Sequence, residues 1–316
     1  MAGTVYDVIV VGAGNAGLTA ALAARQLEAR VLLLDKCPKS VRGGNTRFSG
    51  GGFRFTYNGL DDMRPMLPDL TDEEASKMEV GKYSTSDFFE DVMQVTEYAA
   101  DKPLTNILVD QSYATARWLT DMNVKWILST STHAVKVGWK IKFPSGRVIS
   151  VNDGGLGLVE MLFPTAENHG IEIVYEARVT GLIADQKGKV AGVRVQTKEG
   201  LVDFNSHAVV LAAGGFEANP EMRARYLGAG WDLVKVRGSR YNSGEVLNIA
   251  LGFGVKPIGH WSGCHAVLVD AEAPDVECAY EHRYSYPYGI MVDINGKRFV
   301  DEGEDFFSYT YAKCGR

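Results

Sequence analysis

Apolar positions fall into short runs whose spacing changes along the chain. Residues 6–11 (YDVIVV) form a brief apolar run of the kind carried by a strand covered on both faces. Residues 15–28 are small or apolar nearly all round, as in a helix pressed on a sheet, and 30–35 (RVLLLD) form a second such run. Strand, helix, strand in that order is a βαβ opening to a parallel sheet. The run 171–175 (IEIVY) returns to the same sheet. Residues 178–211 read as a β-meander with a Lys187-Gly188 turn, leading into the buried strand AVVLAAGG.

Between these strands the texture differs. Residues 38–59 are glycine-rich and irregular, and 61–86 are acidic and loop-like. Helices are predicted over 87–99 and 104–122; in the second, Leu104, Ile107, Leu108, Trp118, Leu119 and Met122 keep a partial 3.6-residue period. Short alternating runs over 126–151 predict a small antiparallel sheet, and 152–157 a glycine-rich helix start. Helical patches at 218–227 and after Ser243 precede a change near Pro257. Beyond it, 260–289 is rich in His, Tyr, Trp, Cys and Pro without periodicity, and 290–300 predicts a hairpin on Asn295-Gly296 with a type I′ turn. The expected division is one domain over 1–257 and the start of a second over 258–316.

Composition narrows the function classes. A net charge of −6 gives no basic field for nucleic acid. Four cysteines (Cys37, Cys264, Cys278, Cys314) show no C-x-x-C spacing, which excludes a zinc signature and suits a reduced, cytoplasmic setting. The first apolar run lacks the basic start of a signal peptide, and no run approaches the ~18 apolar residues of a membrane span. Glycine stands out at 35 of 316 residues, above the ordinary ~7%, and it clusters at a few tight places.

The first cluster is V-G-A-G-N-A-G, which fits G-x-G-x-x-G with Gly12, Gly14 and Gly17. Gly12 permits the tight turn, Gly14 lets a pyrophosphate approach the backbone, and Gly17 lets helix and strand pack closely. The helix opening here, through Asn15 and Ala16, aims free N–H groups at an anion. Asp35, at the end of the second strand and followed by Lys36, is placed to accept ribose hydroxyls. The fingerprint alone leaves NAD and FAD open.

The second cluster, R-G-G-N-T-R-F-S-G-G-G-F (42–53), resembles the second glycine segment of the fumarate reductase and succinate dehydrogenase flavoprotein superfamily. That resemblance implies FAD as cofactor. It implies a Rossmann-like FAD-binding domain of glutathione-reductase type in the α/β class, with the start of a smaller α+β capping domain. It carries cofactor contacts onto Arg42, Gly43, Gly44, Asn45, Thr46 and Ser49, and sets Gly51 and Gly52 near the flavin ring. Three further segments agree: the strand around Val179, the strand end Ala212-Ala213-Gly214-Gly215, and the turn Asn242-Ser243-Gly244-Glu245 with Ser243 facing the cofactor.

The runs F-E-A-N-P-E-M-R-A-R-Y-L-G-A-G-W-D, W-S-G-C-H-A and R-F-V-D-E-G-E-D-F resemble FAD-dependent tricarballylate dehydrogenases. This implies oxidation of tricarballylate to cis-aconitate, with hydride transfer to flavin N5 and electrons passed to a separate membrane-associated partner. His265 stands where fumarate reductases carry a substrate-binding histidine. Arg283, among tyrosines in Y-E-H-R-Y-S-Y-P-Y, is the expected carboxylate binder, with Arg47 and Arg54 as further cations. In fumarate reductases the fourth residue after the Glu of R-F-V-x-E is a proton-donating arginine; here it is Phe306, so proton handling falls to Glu302, Asp305, Tyr309 or a residue outside this chain. Relatives continue past this point with an A-G-E-like segment that closes the flavin site, so a fragment or truncated form is expected. Two alternatives stay open: a Δ1-ketosteroid-dehydrogenase-like or urocanate-reductase-like enzyme, and a cofactor-binding remnant without catalysis.

Overall fold

The computed structural model describes residues 4–130, 134–278 and 285–303. In chain order the elements are β1 (Val5–Val11), α1 (Asn15–Gln26), β2 (Val31–Leu34), α2 (Asp72–Ser76), β3 (Met78–Glu79), α3 (Thr85–Val95) and α4 (Lys102–Asp121). There follow β4 (Trp126–Leu128), β5 (Val135–Val137), β6 (Lys140–Lys142), β7 (Ile149–Val151), α5 (Gly154–Asn168) and β8 (Glu172–Val174). The meander β9 (Arg178–Ala184), β10 (Val190–Thr197) and β11 (Gly200–Leu211) precedes α6 (Pro220–Leu227) and α7 (Glu245–Gly252). The fold is mixed α/β, and the chain forms two compact units: Met1–Phe48 with His169–Arg316, and Ser49–Asn168.

The first unit is built on a six-stranded sheet of order β8-β2-β1-β11-β10-β9. Strands β8, β2, β1 and β11 run parallel, whereas β10 and β9 are added antiparallel. Both faces of β1 are covered, which is why its apolar run is nearly continuous. Ile9 and Val11 join Leu32, Leu34, Val179, Val193 and Val195 in one buried cluster. Val10 faces the other way, toward α1: its Cγ1 lies 3.5 Å from where a side chain on Gly17 would begin. The expected βαβ opening, the return strand and the meander all stand.

The predicted hairpin forms, with Val292 bridging Arg298 antiparallel, but its turn is of another type. A type I′ turn needs positive φ at both central residues; Gly296 has φ of 75°, and Asn295 does not share it. Gly296 N–H donates to the Asp293 carbonyl and Asp293 N–H to that of Lys297, the pattern of a type I turn closed by a left-handed glycine. The Asp293 carboxylate selects it by accepting N–H bonds from Asn295 and Lys297, both at 2.9 Å.

The second unit holds α2 to α5 and two small sheets, β3-β6-β5 and β4-β7. The acidic 61–86 stretch is more ordered than expected: Thr71 and Glu74 form a capping box that starts α2. In α4 the helix forms as predicted, and Leu119 and Met122 are buried as expected, but its first turns face inward with other residues. Thr105, Val109, Ser112, Ala116 and Leu119 are buried, whereas Leu104, Ile107 and Leu108 lie on the surface. Thr105, Ser112 and Ala116 are small enough to let Val109 and Leu119 pack closely.

Candidate functional site

A cleft opens at the carboxyl ends of β1 and β2, walled by the glycine turn, the 44–46 segment, the end of β11 and the 239–246 turn. Gly12 takes φ of 101°, and a Cβ there would stand 2.5 Å from the Ala212 carbonyl oxygen. A Cβ on Gly17 would stand 1.7 Å from the Gly12 carbonyl oxygen. Those two glycines are demanded by the protein's own packing. Gly14 is different: a Cβ there would meet only Thr46 Oγ1 at 3.5 Å and the Gly43 oxygen at 3.7 Å.

Helix α1 begins at this cleft with Gly14 as its N-cap, no side-chain cap and no acid in its first turn. Its dipole and unfilled N–H groups therefore face the cleft and favour an anion. Asn15 N–H donates to Thr46 Oγ1 at 2.9 Å, while the buried Asn15 Oδ1 has no hydrogen-bond partner. A buried orphan acceptor on a cavity wall is what a ligand hydroxyl or N–H would satisfy. The donor-rich helix end, the orphan oxygen and the open Gly14 together fit a dinucleotide such as FAD.

Asp35 braces the turn. Its Oδ2 accepts Ala13 N–H at 2.8 Å and its Oδ1 accepts Cys37 N–H at 3.1 Å. Each oxygen keeps acceptor capacity for a hydroxyl. Burial, then the Asp35 charge, pushes the Cys37 thiol far above its ordinary range. Lys36 Nζ reaches Ser243 Oγ at 2.6 Å and Glu245 Oε2 at 3.2 Å, tying β2 to the start of α7.

Of the expected cofactor residues, the wall includes Gly12, Gly14, Asn15 and Ala16 from the first turn, and Asp35 and Lys36 after β2. It also includes Gly44, Asn45 and Thr46, Val179, Ala212, Ala213, Gly214 and Ser243. Gly17 is not on it, being used for packing. Arg42 is buried and donates to the Tyr175 hydroxyl at 3.1 Å; Gly43, with φ of 104°, shapes the segment without lining the cleft. Ser49, Gly51 and Gly52 belong to the second unit, where Gly51 packs on Gly154. Sequence reasoning missed Ser239 and Tyr241, which line the cleft just before the recognised 242–245 turn.

A second cavity of about 680 Å³ shares Asn45, Gly214 and Gly215 with the first. Its wall adds Phe216, Glu217, Arg223, Lys235, Arg237, His260, Trp261 and His265. Arg223 is buried and spends its guanidinium on the carbonyls of Trp231, Glu217, Asp232 and Val234. Lys235 bonds the Ala273 carbonyl and lies 3.5 Å from Asp275. Glu217 was also missed. Its Oε2 accepts the Asn242 amide at 2.5 Å, and burial pushes its pKa up, opposed by its own N–H. Glu217 is an exposed residue and lines the cavity.

His265 lies on this wall as expected. Arg283, Asp305, Phe306 and Tyr309 lie outside the described residues. Glu302 is buried and accepts Met291 N–H and the Arg298 guanidinium. Those two donors hold its carboxyl below the usual range. The other expected cations are engaged locally: Arg47 donates to the Arg42 carbonyl at 3.1 Å, and Arg54 to Asp91 at 2.7 Å.

Comparison with known proteins agrees with the cleft. A family model described as FAD binding domain matches residues 7–312. The vinyl phenol reductase of Lactiplantibacillus plantarum is 27% identical over 97% of this chain and 58% of its own length. The urocanate reductase of Eggerthella lenta is 30% identical over 71% of this chain and 34% of its own. The open conformation of a flavocytochrome c3 fumarate reductase superposes with a TM-score of 0.70 at 24% identity, covering 95% of this chain and 49% of that one. The chain thus spans about half the length of the relatives it matches, or less. Its glycine turn, its orphan acceptor and the family match agree: the chain belongs to the FAD-binding domain family of the fumarate reductase and succinate dehydrogenase flavoproteins, and its cofactor is FAD.

Proposed function

We propose that the chain is the FAD-binding part of a dehydrogenase that oxidises a small polycarboxylate, tricarballylate to cis-aconitate, across a carbon–carbon bond. The observation that carries this reading is the second cavity, which adjoins the FAD cleft through Asn45 and Gly214 and gathers Arg237, Lys235, His260 and His265 on one wall. Clustered cations and imidazoles favour an anionic ligand. Bound FAD supplies the hydride acceptor. The protein's part is to orient the substrate with His265 and pair its carboxylates with Arg237 and Arg283. Glu302 is the candidate for moving a proton, once freed from Arg298. On this reading the sheet is a Rossmann-like domain of glutathione-reductase type and 258–316 begin a capping domain. The protein is cytoplasmic and passes electrons to a membrane-associated partner. Among the described residues no helix is long and apolar enough to cross a membrane.

One observation favours a second reading. Phe216, Tyr226 and Trp261 form a mutual ring cluster with centroids 4.9 to 5.9 Å apart, and Phe216 and Trp261 face the cavity. A flat ring in the substrate, as in the relatives named for urocanate and vinyl phenol, would stack there. Anaerobic flavin spectra of the FAD-loaded, full-length protein separate the two. Bleaching by tricarballylate supports the polycarboxylate. Its absence, with reoxidation of the reduced flavin by an aryl enoate, overturns it.

A further inference from the structure

Both imidazoles on the wall of the second cavity, His260 and His265, belong to the stretch 259–266 (G-H-W-S-G-C-H-A) that follows α7. This stretch is neither helix nor strand, and Gly259 takes φ of 93°, in the left-handed region that favours glycine. The hydrogen bonds of residues 258–263 close within that segment. Trp261 Nε1 donates to the Ile258 carbonyl at 3.2 Å, Gly263 N–H donates to the His260 carbonyl at 3.4 Å, and Ser262 Oγ pairs with His260 Nε2 at 3.0 Å. Such bonds shape a loop but do not fix where it stands. The Trp261 ring reaches out of it. That ring stacks on Phe216 with centroids 5.9 Å apart and planes at 26°, and meets Tyr226 edge-on at 4.9 Å. Tyr226 is on α6, and Phe216 follows Gly214 and Gly215 at the end of β11, beside the FAD cleft. Phe216 is held there closely: a Cβ on Gly244, in the turn that walls the cleft, would stand 2.8 Å from the Phe216 Cβ. The ring stack therefore joins the cofactor cleft to the loop that carries both imidazoles.

We propose that Trp261 is a positioning residue whose ring pins the 259–266 loop to the FAD cleft and so holds His265 in register with the substrate. His265 stands four residues beyond Trp261, so a loop swinging about Gly259 would carry the imidazole off the cavity wall. Aromatic pairs favour offset-stacked and edge-to-face arrangements, and Trp261 makes one of each kind, which fixes the orientation of the loop as well as its approach. A reacting group misplaced by about 1 Å loses about a hundred-fold in rate. Trp261 thus acts on turnover through His265, without a contact of its own to the substrate. Its ring is committed to Phe216 and Tyr226, which distinguishes this role from a platform for a substrate ring. The role rests on the polycarboxylate reading, in which His265 orients the substrate.

The test is a double-mutant cycle on flavin reduction by saturating tricarballylate in FAD-loaded, full-length protein, followed by stopped-flow absorbance. The same absorbance verifies that each variant keeps its cofactor. Trp261→Ala, and the milder Trp261→Leu that keeps apolar bulk without a ring, should slow reduction about ten- to a hundred-fold. Trp261→Phe, which keeps a ring, should recover most of the rate. In a His265→Ala background Trp261→Leu should cost nothing further, because residues that act as one unit are not additive. Hydrogen exchange of the apoprotein gives a readout apart from turnover: amides of 258–266 should exchange faster in Trp261→Leu, with those of β1 unchanged. Losses that multiply in the double variant overturn the proposal, and so does a wild-type rate in Trp261→Leu or in His265→Ala. Each of these leaves the polycarboxylate reading intact, since the wild-type flavin is still bleached. Trp261→Leu that weakens only the affinity for an aryl enoate assigns the ring to the substrate and overturns the proposal as well. A wild-type flavin that no polycarboxylate bleaches, with FAD in place, overturns both.

Discussion

Gly14 and Gly17 sit three residues apart in one fingerprint, yet their replacement should fail in opposite ways. Gly14 has φ of −78° and ψ of −174°, a conformation open to any L-residue, and a Cβ there meets nothing closer than 3.5 Å. Gly14→Ala should therefore cost below about 1 kcal/mol of stability, the scale of exchanging one N-cap residue for a poorer one. The new side chain stands where a pyrophosphate would approach the first turn of α1. Losing one charge-assisted hydrogen bond is worth about 1.5–3 kcal/mol, or about ten- to a hundred-fold in FAD affinity. The bulkier Gly14→Val should abolish retention of FAD in soluble, folded protein. Gly17→Ala places a Cβ 1.7 Å from the Gly12 carbonyl oxygen, which α1 can relieve only by moving off the turn. It should cost more than about 2 kcal/mol of fold stability. Urea unfolding of the apoprotein, paired with flavin absorbance after gel filtration, reads the two effects separately. Gly14→Val protein that keeps FAD at full occupancy would refute the argument, as would Gly14→Ala protein losing several kcal/mol.

Arg223→Met should destabilise the protein by more than about 3 kcal/mol, because it strips donors from four carbonyls around a buried site. Arg223→Lys should not restore the loss, since an ammonium cannot reproduce the planar fork; a denaturant midpoint equal to wild type in either variant contradicts this. The Tyr6 hydroxyl donates to Glu172 at 2.8 Å, and burial first, then that bond, raises its pKa to about 12. A phenol's unfolded pKa is about 10, so its contribution is complete below about pH 10 and lost as pH rises through about 12. Melting of Tyr6→Phe should accordingly lie below wild type at neutral pH and converge with it at the alkaline end. A constant gap would be inconsistent.

Local signals carried much of this protein. The run at 6–11, the three spaced glycines and Asp35 at the end of the next apolar run specify β1, α1, β2 and the turn between them, because the contacts of Gly17 with Gly12 and of Ala13 with Asp35 are local in sequence. The meander is legible for the same reason: its pairings are between neighbours in sequence. Tertiary structure decided what depends on distant partners. It added a second demand on Gly12, whose Cβ would stand 2.5 Å from the carbonyl oxygen of Ala212, two hundred residues away. It buried Thr105, Ser112 and Ala116 of α4 and exposed Leu104 and Ile107, because close approach rewards small side chains that periodicity does not weigh. It also set Glu217 against Asn242, 25 residues away. The sequence lists an acid at that position, but its protonation depends on what surrounds it, and that surrounding exists only once the chain is folded.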